Sequence, residues 1–194
     1  LFHLAILADG DLALIVRFTV SIYIALIALV GGRIVPSFTR NWLAKASAKA
    51  LPRPFSDFDR VAIGVLLAAL VLWSLQPEGP ATAAAAAIAA LLQATRLARW
   101  RGWTTLEEPL LVVLHVAYAF VPLGMGAVSL AALGWISPPS ALHLLTVGGI
   151  GNMTLAVMTR ASLGHTGRRL TASPLTAFAY LALLLSAVLR PFAE

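Results

Sequence analysis

No cysteine occurs in the 194 residues, and only 11% of them are Asp, Glu, Lys or Arg. The first absence excludes disulfides, thiolate metal sites, iron–sulfur clusters and a cysteine nucleophile. The second excludes a water-covered globular surface, which typically carries about 25% charged residues. Catalytic signatures are missing too: there is no Walker loop, no GxGxxG, no HExxH and no Ser-His-Asp pattern. The one glycine-dense run, 147–151, lies in the middle of an apolar stretch, which speaks against a phosphate-binding loop. No repeat period and no low-complexity tail are present. What remains is apolar: 60% of the chain is AVILMFWYC. The composition therefore describes an all-α, polytopic transmembrane helical bundle whose partner is the lipid bilayer, a single transmembrane domain over 1–194.

A bilayer core about 30 Å thick needs roughly 20 apolar residues per helix. Six segments approach that length, at about 11–31, 59–76, 80–98, 108–134, 139–162 and 172–190. Thr105-Leu-Glu-Glu108 has the spacing of a capping box, with Pro109 suited to the first turn of the fourth helix. Ser137-Pro138 and Ser173-Pro174 pair an N-cap with a proline at the first helical position, and Gly164 and Gly167 supply stops after the fifth helix. For the second and third segments a buried or re-entrant hairpin is the alternative, since 81–90 holds eight alanines and alanine is only marginally lipophilic. The apolar run 1–8 has no initiating Met and reads as the tail of a helix, so the chain is expected to be the C-terminal half of a longer protein, its N-terminal half being a partner.

Orientation follows from the basic residues. Arg33, Arg40, Lys45, Lys49, Arg53 and Arg60 follow the first helix, in a basic connection placed at 32–58. Arg96, Arg99 and Arg101 follow the third, and Arg160, Arg168 and Arg169 the fifth. Twelve of the fourteen Lys and Arg thus fall on one side, and the opposite connections, 76–80 and 134–139, hold none. The positive-inside rule puts the basic loops in the cytoplasm and the C-terminus outside. Spread over three loops, these cations are topology signals and not a nucleic-acid face.

Ionisable groups within spans are few and are functional candidates by default. They are His3, Arg17, His115 and His143, with His165 just past the fifth helix. No acidic residue is expected deep in a span, which argues against a carboxylate proton relay. His115 precedes Pro122, a proline that removes one helical hydrogen bond and is expected to kink the fourth helix. His143 enters from the opposite face, so about 15 Å of a 30 Å core should separate the two imidazoles. Each has an alternative as a hydrogen-bonded packing residue. For His165 a solvated helix-end loop is the simpler reading, and Arg17 is expected to snorkel outward. Arg33 and Arg40, with Arg160 from the end of the fifth helix, are candidates for holding anionic groups such as haem propionates or lipid phosphates. Their alternative is interfacial anchoring.

Three stretches together resemble the NnrS family of bacterial membrane proteins. They are Gly31-Gly-Arg-Ile-Val-Pro-Ser-Phe-Thr-Arg-Asn41, the segment from Leu114-His-Val-Ala-Tyr-Ala-Phe through Pro-Leu-Gly124, and the long run from Ala141 to Arg168 centred on Thr-Val-Gly-Gly-Ile-Gly. The resemblance covers essentially the whole chain and implies the second half of a protein of about twelve spans. It also implies an inner-membrane location, bound haem and copper, and a role in denitrification and in the response to nitric oxide and nitrosative stress. The His-rich motif of that family's first half is absent here. The expected function is therefore a haem-binding membrane protein, with copper as a further metal and nitric oxide as a ligand, His143, His115, His3 and His165 being the candidate metal ligands. Neutral imidazole suits both metals. Two other classes stay open: a transporter or exporter built on broken helices, and an assembly subunit whose histidines only pack.

Overall fold

A computed structural model describes residues 11–48 and 50–190; His3 lies outside the described residues. Helix α1, Leu12–Leu26, begins at Asp11, whose carboxylate accepts from the Leu14 amide. It runs without a break through a π-helical turn, Ile27–Gly31, into α2, Gly32–Lys45. Then follow α3 (Asp57–Leu75), α4 (Pro80–Ala98), a 3₁₀ turn at Gly102–Thr104, and α5 (Pro109–Ala132). The next long helix comprises α6 (Pro138–His143), a π-helical stretch Leu144–Gly151 and α7 (Asn152–His165), and α8 spans Pro174–Leu189. No strand occurs among the described residues.

Five of these units are long and apolar enough to cross a bilayer. The sixth, α8, has 16 residues. At 1.5 Å per residue that is about 24 Å, short of a 30 Å core. Helices α3 and α4, of 19 residues each, have the length of full spans, so the alanine-rich segment is a helix like its neighbours. Its alanines serve packing: Ala83, Ala86 and Ala89 are buried along one face, where small side chains let helix backbones approach closely. Ser129 Oγ on α5 reaches the Ala83 carbonyl at 2.8 Å across that contact.

Helix α5 is the axis of the bundle, with 72% of its apolar window buried. It interlocks with the π-helical stretch by exchange of glycines. A Cβ on Gly148 would overlap the Phe120 ring (2.7 Å from Cγ), and one on Gly124 would overlap Leu145 (2.8 Å from Cγ). Each glycine is the notch for a large residue on the other helix. Pro122 sits inside α5, which continues to Ala132 as one helix.

Several expected signals act differently. The first helix does not stop at Gly31-Gly32; it continues to Lys45 past Pro36, because these glycines provide packing space and not a stop. Gly31 faces Met153 and Tyr118, and Gly32 faces the Arg96 guanidinium. The capping box at Thr105 does not form. Glu108 itself is the N-cap, accepting from the Leu110 amide, while Thr105 Oγ1 turns back to the Gly102 carbonyl at 2.8 Å. A capping box does form two helices earlier, at the start of α3, where Asp59 Oδ2 receives the Ser56 amide at 2.9 Å. Ser137 and Ser173 cap their helices as expected. Gly164 is inside α7, and Gly167, at φ +67°, makes the left-handed turn that ends it.

Candidate functional site

The histidines fall at opposite ends of the bundle. His115, 8% exposed on α5, is closed in by the 3₁₀ turn: a Cβ on Gly102 would lie 2.6 Å from its Cγ. Its Nδ1 donates to the Leu111 carbonyl at 2.9 Å, as a carbonyl can only accept. In the neutral ring Nε2 is then the acceptor, and it lies 3.3 Å from Thr39 Oγ1 on α2. Thr39 Oγ1 gives its one proton to the Val35 carbonyl at 2.9 Å, so the Nε2 lone pair faces an oxygen already committed as a donor, and the ring is closed in by α2 and the 3₁₀ turn.

His143 ends α6 and is half-buried against α8. Its Nε2 lies 3.1 Å from the Ser186 carbonyl and must donate there. A neutral ring so held carries its lone pair on Nδ1, for which no hydrogen bond is formed among the described residues. The π-helical stretch starts at the next residue, a distortion often found at functional positions. His165 is exposed at the C-terminal end of α7. His115 and His143 are not brought together: one lies against α2 and the 3₁₀ turn, the other against α8.

Arg33 and Arg40 do come together. They line a cleft of about 370 Å³ at the basic end of the bundle, walled by α2 and by the connection 52–55. Arg53 joins them there, along with Pro36, Phe55, Asp59 and Trp100. Arg160 does not: its guanidinium lies 4.3 Å from the Phe38 ring centroid, on the other face of α2. No histidine lines the cleft.

Behind the cleft lies a buried polar cluster centred on Arg96. Arg96 belongs to α4 and not to the connection after it, and it is fully buried. Arg96 Nε donates to Asp59 Oδ1 at 3.1 Å, and Nη1 to both the Ala28 carbonyl and Tyr118 Oη at 2.8 Å. Tyr118 Oη passes its own proton to Gln93 Oε1 at 2.7 Å, and Gln93 Nε2 donates to the Ala62 carbonyl at 2.9 Å. The guanidinium also faces Trp100 at 5.4 Å from the ring centroid. Arg99 Nη2 adds a second cation 3.6 Å from Asp59 Oδ2. The cluster ties α3, α4, α5 and the first π turn together. Two sequence signals could have exposed it: Gln93, Arg96 and Trp100 share one helical face, and Ser56-Asp-Phe-Asp59 has cap spacing that buries an acid.

Arg17 also departs from free snorkelling. Its Nε donates at 3.1 Å to the Ser74 carbonyl, one of the last four of α3 and so without a partner within that helix, while Nη2 approaches Asp11 at 4.0 Å.

Neither a curated protein nor a solved structure matches the chain. A family model described as "NnrS protein" matches residues 1–194. The chain belongs to the NnrS family, and with it, in broad terms, to the membrane proteins of the nitric oxide response.

Proposed function

We propose that the chain supplies an imidazole ligand to a haem in an inner-membrane protein that meets nitric oxide, and that His143 is this ligand. The observation that carries the reading is the one-sided bonding of His143: Nε2 is held by the Ser186 carbonyl. A backbone carbonyl fixing one ring nitrogen sets the tautomer and aims the other, which is the usual arrangement of a metal-ligating histidine. His115 is also held by a backbone carbonyl, but its other nitrogen is closed in by Thr39 and its ring by the turn at Gly102, and His165 lacks the burial.

The donor set favours haem over a copper ion held by side chains alone. Among the described residues no three His, Asp or Glu side chains stand close enough to hold an ion. Haem iron would ask no more than one or two side chains of the protein. When bound, the haem would supply an iron that takes nitric oxide as a ligand. The chain's own part is to orient one imidazole and to surround it with apolar helix. Under the positive-inside rule the arginine-rich end is cytoplasmic, which puts His143 towards the outer face.

The test is a visible spectrum of the purified full-length protein, oxidised, dithionite-reduced and then exposed to nitric oxide. A Soret band that shifts at both steps, persists in His115→Ala and is lost or shifted in His143→Ala is the expected result. A colourless, metal-free protein would overturn the haem reading in favour of transport. An unaltered band in His143→Ala would remove that residue as the ligand.

A further inference from the structure

Arg33 and Arg40 stand two helical turns apart on one face of α2, with Ser37 between them, and Arg53 closes the cleft from the following connection. None of these three arginines forms a salt bridge among the described residues. The one acid lining the cleft, Asp59, is already taken by Arg96 and Arg99. The cleft therefore holds three uncompensated guanidinium groups over a carboxylate that is more than neutralised. Beneath it is a further cation with spare donor capacity: Arg96 is fully buried, and its Nη2 has no hydrogen-bond partner among the described residues. That nitrogen lies directly behind Gly32, which forms part of the cleft wall, and a Cβ at Gly32 would overlap it. The remaining walls, Pro36, Pro52, Phe55 and Trp100, are apolar.

A concentration of forked guanidinium groups without acidic partners matches the oxygens of an anion, and the Arg96 charge behind the Gly32 wall adds to the positive field of the cleft. We infer that this cleft is a binding site for a phosphate-type oxyanion, held by Arg33, Arg40 and Arg53 over the buried Arg96. The site is independent of the haem reading, since no histidine borders it. Its position at the arginine-rich ends of the helices gives two sources for the same chemistry, the phosphate of an anionic lipid headgroup and free phosphate in solution. The apolar walls suit a phosphate with a carbon body attached.

The experiment uses the full-length protein in two arms. In one, inorganic phosphate is titrated calorimetrically into protein in neutral detergent. In the other, phosphatidylglycerol retention is read by native mass spectrometry from nanodiscs that also contain phosphatidylcholine. Arg33→Gln combined with Arg40→Gln should weaken binding at least about tenfold in whichever arm shows it. Arg168→Gln combined with Arg169→Gln, exposed arginines of another loop, is the control and should leave binding unchanged. Lipid retention without phosphate binding identifies a headgroup site, and phosphate binding alone identifies a soluble anion. The proposal is overturned if neither probe binds the wild-type protein, or if the control variant loses as much as the cleft variant at equal melting temperature.

Discussion

Arg96 Nε and Asp59 Oδ1 lie 3.1 Å apart, with the two side chains 0% and 6% exposed. A pair so buried gains Coulomb energy in a low dielectric but has given up the hydration of both ions. What makes the arrangement tenable is the set of hydrogen bonds around it, although Arg96 Nη2 is left without a partner among the described residues. Asp59 receives the Ser56 amide and hydroxyl as well as Arg96, and Arg96 reaches a carbonyl and a phenol as well as Asp59. The π turn has a part in this, since Ala28, whose carbonyl takes Arg96, lies within it.

Asp59→Leu should therefore destabilise the protein by about 3–5 kcal/mol, because it strands the Arg96 charge in the bundle. Arg96→Met together with Asp59→Leu should recover most of that loss. Melting temperatures in one detergent, followed by intrinsic tryptophan fluorescence, check the pair. A double variant as unstable as the single would mean that the ions contribute more together than apolar groups of their size.

Tyr118→Phe removes the hydroxyl that accepts from Arg96 and donates to Gln93. Both partners are buried and both would lose a bond, at a cost of about 1–3 kcal/mol. The ring itself remains packed edge-on against Trp100, with centroids 4.5 Å apart. Loss of stability with an unaltered near-UV tryptophan signal is the expected outcome. A stable Tyr118→Phe protein would show that the Oη bridge contributes nothing net.

How far this cluster was legible in the sequence has a physical answer. The apolar segments and the proline-led starts at Ser137 and Ser173 depend on local chemistry, and five long helices and a shorter sixth bear them out. Arg96 reads as a loop cation from sequence position alone, because positive-inside asymmetry carries no information on helical phase. Its phase points inward, level with Asp59, and that is a tertiary fact. Gly31-Gly32 failed as a stop for the same reason: a glycine is equally a helix end and a notch for a guanidinium, and only the neighbour decides. The grouping of Arg33 with Arg40 follows from seven-residue spacing on one helix. The membership of Arg53, and the exclusion of Arg160, required knowing which face of α2 each one meets.

Gly32→Ala should act on the buried cation without touching any charge. The new methyl would lie 2.7 Å from Arg96 Cζ, so the guanidinium or α2 must shift. Overpacking of this kind typically costs about 1–3 kcal/mol. Because Gly32 borders the cleft, the same substitution should also weaken phosphate binding there. Gly64→Ala, where an added Cβ meets nothing within 4 Å, is the matched control and should be neutral or slightly stabilising, since alanine favours helix.

The crossing of α5 with the π-helical stretch makes the last prediction. Gly148 receives the Phe120 ring, so Gly148→Ala should destabilise by about 1–3 kcal/mol, and Phe120→Ala alone by about 3–5 kcal/mol through the space it leaves. The double variant should cost less than the two singles added, because the alanine methyl then occupies part of the volume the ring gave up. Double-mutant cycles resolve such coupling between residues in contact. Gly126→Ala on the same helix, with no atom within 4 Å of the added Cβ, should combine additively with either. Additive behaviour of Gly148 and Phe120 would mean that the two helices slide to accommodate the change. In that case the π-helical stretch, and His143 at its start, would be held by Ser186 more than by α5.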